Sequence, residues 1–141
     1  DFANYRRDGY DFDARYDEGL AKHTDKVLYD LLDSHAPIIS KELKKLGDYR
    51  KGGNKGFDTA IIRLQEQCYV ITSNFAYMTD KNGQPYGWGV AEYSTPEKFM
   101  GAAFTDKVYQ REPEESYQLI LDHLKKILPQ ASMEQIKKIL K

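Results

Sequence analysis

The sequence has one cysteine in 141 residues, Cys68, which excludes an intramolecular disulfide framework and a cysteine-built zinc cluster. It also lacks an excess of either charge, with 21 Lys and Arg against 22 Asp and Glu and a formal net charge of −1. That balance excludes a uniformly basic nucleic-acid coat and an acidic solvating tail. No apolar run approaches the ~18–20 residues of a membrane helix and no signal peptide opens the chain; no membrane partner and a cytoplasmic location are expected. His23, His35 and His123 lie too far apart for ligand spacing, so no metal is expected. Gly47 to Gly56 lack the strand-then-glycine context of a phosphate loop, and no cofactor is expected either. The chain begins at Asp1 rather than at a methionine, which leads us to expect a piece of a longer protein.

What is present is a globular composition, 40% hydrophobic and 30% charged, with an unusual 11 tyrosines. Residues 1–23 read as an extended or turn-rich aromatic arm. In its first twenty positions six carboxylates and three arginines interleave with Phe2, Tyr5, Tyr10, Phe12 and Tyr16 without helical or strand period. Such an arm is expected to dock on an upstream region. Residues 24–101 carry the regular pattern. Thr24 is suited to cap a helix with Val27, Leu28, Leu31 and Leu32 on one face. Ile38-Ile39 form an apolar step after Pro37, and Ser40 is placed to cap a second helix with Leu43 and Leu46 inward. Gly47 suits its left-handed end. A third helix from Phe57 or Asp58 turns Phe57, Ile61, Leu64 and Cys68 to one side. The period then falls to two over Tyr69–Tyr77, Asn82-Gly83 marks a hairpin, and Tyr86–Tyr93 return. Thr95-Pro96 restart a helix. In the extension over 102–141, Pro113 opens a long helix with Ile120, Leu121, Leu124, Ile127 and Leu128 inward. Ser132 and Gln135 form a capping box for a last helix holding Met133, Ile136, Ile139 and Leu140.

Helix, short strand, helix, helix, strand, wing, strand is the order of a winged helix, an α+β helix-turn-helix with an appended β-hairpin. The rival is a generic α+β domain with the same elements packed otherwise. Charge is local rather than global. From Lys41 to Gly56 six basic residues (Lys41, Lys44, Lys45, Arg50, Lys51, Lys55) face two acidic ones, Glu42 and Asp48. Flexible glycines beside Lys51 and Lys55 would let backbone N–H groups approach phosphates. Thr59, Ile62, Arg63 and Glu66 stand off the third helix's apolar face, and Lys81 sits at the hairpin tip. Lys51, Lys55, Thr59, Arg63 and Lys81 are therefore the expected contacts to a DNA duplex. The bland alternative is a solvated helix face. Tyr86, Trp88 and Tyr93 are suited to stacking an unpaired base, but strand aromatics usually pack, and core or arm contacts are the favoured expectation. Cys68 reads as a small buried hydrophobe. The Ile120/Leu124/Ile127/Leu128 face supports a different class of reading, a protein-interaction or self-association module without catalytic activity.

Three blocks resemble a known family: Phe2-Ala-Asn-Tyr-Arg-Arg-Asp-Gly-Tyr-Asp-Phe-Asp-Ala-Arg-Tyr-Asp; Phe57-Asp-Thr with Leu64-Gln-Glu-Gln-Cys-Tyr-Val; and Tyr86-Gly-Trp-Gly-Val-Ala-Glu-Tyr-Ser-Thr-Pro-Glu. Spread over residues 2–101, they are similar to the AlkZ-related proteins of bacteria, themselves similar to winged-helix DNA glycosylases that remove alkylated or crosslinked bases. The resemblance implies a DNA-repair context and an N-terminal region preceding these blocks in longer relatives. Those glycosylases approach the lesion with a Gln-apolar-Gln motif. Gln65-Glu66-Gln67 resembles it in its two glutamines and departs from it at the charged middle residue. Gln65 and Gln67 are thus catalytic candidates by resemblance, and two polar residues ending an amphipathic helix is the alternative.

Overall fold

The computed structural model describes residues 1–140, so the last residue of the expected 102–141 extension lies outside the described residues. Helices α1 (Phe2–Arg7) and α2 (Phe12–Asp17) precede α3 (His23–His35), β1 (Ile38–Ile39), α4 (Ser40–Leu46) and α5 (Phe57–Glu66). The hairpin β2 (Ile71–Thr79) and β3 (Pro85–Ser94) follows. Short helices α6 (Pro96–Met100) and α7 (Ala102–Thr105), long helix α8 (Pro113–Ile127) and α9 (Met133–Ile139) complete the described chain.

The fold is α+β, with a three-stranded antiparallel sheet in the order β1-β3-β2. Ile38 and Ile39 pair with Tyr93 and Glu92, while β2 pairs along β3 from Ile71↔Ser94 to Thr79↔Pro85. The main core gathers Leu28 and Leu32 of α3, Leu43 of α4, and Phe57, Ala60, Ile61 and Leu64 of α5, closed by Ile38, Tyr69, Val70 and Phe12. A second, smaller core joins Leu121 of α8 to Ile136 and Leu140, with Tyr5 and Tyr117 packed against it.

Several local expectations are corrected. The arm is helical rather than extended. Its period is hidden because α1 buries the polar Asn4 and Arg7 while leaving Phe2 exposed, and α2 is started by Asp11, whose carboxylate accepts from the Ala14 N–H at 2.8 Å. Its aromatic anchors pack within this chain, Phe12 into the main core against Tyr29 and Tyr69 and Tyr5 against Tyr117. Helix α3 begins one residue before Thr24, with Lys22 at the N-cap and no side-chain cap bond. Ser40 is the first residue of α4 rather than its cap, and Leu46 is exposed. Gly47 ends α4 at φ −81°, not left-handed; the left-handed residue is Asp48 at φ 53°. Glycine is needed at 47 for space, since a Cβ there would lie 2.5 Å from the Tyr49 ring. Val27 and, in the C-terminal helices, Ile127, Leu128, Met133 and Ile139 are exposed rather than inward. Thr95 caps α6 with Pro96 in its first turn, and the Ser132/Gln135 capping box forms as expected.

Candidate nucleic-acid interface

The basic stretch is partly neutralised from within. Lys44 Nζ reaches Asp58 at 3.0 Å and lies over the Phe57 ring, tying α4 to the start of α5. Arg50 pairs with Asp48 at 2.5 Å. Lys51 and Lys55 are exposed and carry no ion pair among the described residues. Their loop is wound rather than slack. The Asp48 carbonyl accepts from the N–H groups of Arg50 (3.0 Å) and Asn54 (2.8 Å), and Asn54 Nδ2 donates to the Gly47 carbonyl at 2.8 Å. The Gly53 N–H is bonded to the Arg50 carbonyl at 2.9 Å, and a Cβ at 53 would lie 2.1 Å from the Asp48 carbonyl oxygen. The N–H groups of Gly53 and Asn54 are thus engaged in the loop's own turns. What the loop presents outward is side-chain charge. Lys55 lines a small depression of about 170 Å³ with His23, Thr24, Val27, Tyr49 and Asn54.

Helix α5 leaves the loop at Gly56, which sits at φ 85°, and Thr59 and Ile62 are exposed on its outer face. Arg63 turns the other way. Its Nε and Nη2 donate to the two Asp25 oxygens at 2.8 and 2.6 Å, a bidentate pair in which the carboxylate is buried. The hydrogen bond to Asp25 is the main cause of a raised guanidinium pKa, against the lowering effect of burial. Of the five expected contacts, Arg63 is the one whose charge is already paired. Lys81 stands exposed in the turn between β2 and β3, which Asp80 builds by accepting from the N–H groups of Asn82 (2.8 Å) and Gln84 (2.9 Å) through Oδ1. The chain order places Lys51, Lys55 and Thr59 on one loop-to-helix segment and Lys81 on the hairpin that follows it.

Gln65 and Gln67 lie half-buried where α5 gives way to β2. Gln65 Nε2 donates to Thr72 Oγ1 at 3.1 Å, and Gln67 is the C-cap residue of α5, its N–H on the Arg63 carbonyl. Among the described residues no group of three or more His, Cys, Asp or Glu is arranged to hold a metal ion, and no helix is long and apolar enough to cross a membrane.

One feature escaped the sequence reading and a second goes against its favoured expectation. The first is Arg7, 1% exposed. Its Nη1 bonds Glu97 at 2.5 Å and the Tyr109 hydroxyl at 2.8 Å, and Nε and Nη2 donate to the Cys68 carbonyl at 3.3 and 2.7 Å. The rings of Tyr69, Phe104 and Tyr109 surround the guanidinium at 4.6 to 5.9 Å. Burial alone would lower its pKa, but the Glu97 bond and Tyr109 outweigh that and raise it. This knot ties α1 to the α5–β2 junction, to α6 and to the segment before α8. Burial also pushes the Cys68 thiol up, with Arg7 and Arg6 pulling it the other way. The arginines among aromatics in the arm were the available signal. The second is the exposed aromatic hairpin. Tyr93 packs against the main core as expected, but Tyr86 is exposed and Trp88 is 95% exposed, so the expectation that all three strand aromatics pack is corrected.

The fold is thus an α+β domain of helices on a small antiparallel sheet, with a cationic loop leading into one helix and a lysine-tipped hairpin after it. A family profile described as AlkZ related matches residues 1–141, and the chain belongs to the AlkZ-related family. The match runs through residues 102–141, beyond the blocks that carried the resemblance. No curated protein and no solved structure matches the chain.

Proposed function

We propose that this chain is a DNA-binding module of winged-helix type within an AlkZ-related, DNA-glycosylase-like protein of the bacterial cytoplasm. In this reading α3, α4 and α5 form the helical trio, α5 is the recognition helix, β1 closes the sheet and the β2–β3 hairpin is the wing. Lys51, Lys55 and Lys81 contact phosphates, Thr59 reaches the groove, and Arg63, held by Asp25, fixes the recognition helix and offers a secondary contact. Gln65 and Gln67 keep the lesion-facing role that the family resemblance implies for them.

The observation that carries the proposal is the pair of unpaired cations on a hydrogen-bonded loop at the entrance to α5, followed in the chain by a hairpin tipped with a third. Phosphate contacts of this kind position a protein on DNA and make its affinity fall with salt, with a log–log slope of about −0.9 per phosphate neutralised. Replacing Lys51 and Lys55 together by alanine is expected to weaken binding to duplexes of any sequence and to flatten that slope by about 1.8. An unchanged affinity would remove the loop from the interface.

A second reading is favoured by the exposed Ile127, Met133 and Ile139 on α8 and α9, which suit self-association. Light scattering decides it: a monomer at all concentrations, unaltered by Ile139→Lys, removes that reading.

A further inference from the structure

Trp88 is the chain's one tryptophan, and it is 95% exposed. Phe75, Tyr77 and Tyr86 of the same hairpin are also more than half exposed, Trp88 most of all, and the backbone around Trp88 is irregular. Between the pairs Ala76↔Val90 and Met78↔Tyr86 the two strands fall out of step, two positions of β2 spanning four of β3. Within that irregularity Gly87 sits at φ 75°, where a Cβ would meet nothing within 4 Å; glycine is required there by conformation, not by crowding. Bulges of this kind re-aim side chains.

Gly89, on the far side of Trp88, is crowded rather than strained. A Cβ there would lie 3.1 Å from Phe75 Cβ and 3.2 Å from Tyr77 Cζ, so those two residues occupy Gly89's face of the sheet. Trp88 is Gly89's neighbour on the strand, and its ring is exposed rather than packed. The indole is therefore flanked along its strand by two residues without side chains. A flat ring left open in this way is suited to stacking, whereas a protein-interface anchor is ringed by neighbours that exclude water. Charge points the same way. Both carboxylates of the hairpin are engaged: Glu92, at the inner end, accepts from Ser73 Oγ at 2.9 Å, and Asp80, in the turn beside Lys81, accepts from the N–H groups of Asn82 and Gln84. The hairpin's one side-chain cation, Lys81, stands at the tip end, beside the Thr79↔Pro85 and Met78↔Tyr86 pairs.

We propose that Trp88 is a stacking platform for an unpaired nucleobase in DNA whose phosphate is held by Lys81, so that the hairpin selects DNA with a base out of the helix over fully paired duplex. The inference rests on the DNA-binding reading and deepens it by naming the form of DNA preferred.

Because Trp88 is the sole tryptophan, indole emission reports on this ring alone. The experiment titrates the chain with two labelled duplexes of equal length, one fully paired and one carrying a single unpaired nucleotide, following label anisotropy and indole emission together. The expected result is quenching by the second duplex and a preference for it on the order of tenfold or more. Trp88→Ala is expected to abolish the preference while keeping the affinity for the paired duplex, and Trp88→Phe to restore part of it. Equal binding of both duplexes with unchanged emission overturns the stacking role and leaves the DNA-binding reading intact. Anisotropy that stays flat with both duplexes overturns the two together. Emission that changes with protein concentration in the absence of DNA assigns the ring to contact between copies and overturns the inference.

Discussion

At the scale of single residues the most consequential side chain is Arg7, whose charge lies deep in the fold yet carries bonds to a carboxylate, a hydroxyl and a carbonyl. Removing one partner of a buried pair leaves the other without compensation, and here a main-chain carbonyl would be orphaned as well. Arg7→Ala is expected to lower unfolding free energy by about 3 kcal/mol, a value discounted because Glu97 keeps some contact with solvent. Urea denaturation checks it; a loss below about 1 kcal/mol would show that the knot is not a principal tie. Sequence reading did not find this residue, because arginine in an acidic, aromatic arm looks like surface until its partners, as far away as Tyr109, are brought to it. Trp88 was legible as a stacking residue, but its exposure goes against the favoured packing, because alternation identifies a strand and does not reveal a bulge within it.

Among the elements, the most regular were legible. The Leu28/Leu32 and Ile61/Leu64 spacings and the Asn82-Gly83 turn gave α3, α5 and the hairpin, because one buried stripe and one turn dominate each. Helices α1 and α2 were not legible: at six residues each they are held by tertiary contacts rather than by propensity or period. Gly47 shows a right residue expected for a wrong reason. Its backbone would accept alanine, but the added methyl would meet the Tyr49 ring, which is itself held edge-on against Phe57 at 5.2 Å. Gly47→Ala is expected to destabilise the fold by about 1–3 kcal/mol. In a Tyr49→Ala background the same change should cost much less, and the thermal midpoints of the four proteins in that cycle measure the difference. Equal costs in both backgrounds would place the glycine requirement elsewhere.

For the whole molecule, the aromatic richness noted in the composition becomes a pH property. Burial raises the pKa of Tyr29, Tyr49, Tyr69, Tyr93 and Tyr109 above the ordinary value of 10.0, with neighbouring carboxylates adding to it and nearby Arg or Lys opposing it at several of them. The unfolded chain releases these protons first. The stabilisation is complete below about pH 10 and is lost as pH rises through the folded-state values. Denaturation midpoints are therefore expected to be flat from pH 7 to 9 and to fall steeply beyond 10; a midpoint unchanged at pH 11 would contradict the burial assigned to these phenols. The same scale holds the functional claim. A chain with net charge −1 binds DNA only through cations left free to meet phosphates, and among the described residues Lys51, Lys55 and Lys81 are exposed and carry no ion pair. The direct test is the anisotropy of a labelled DNA duplex titrated with the chain at several salt concentrations. The account predicts saturable binding whose logarithm falls linearly with the logarithm of salt at a slope of about −3, for roughly three phosphates neutralised. Absence of binding at low salt, or an affinity indifferent to salt, would contradict it.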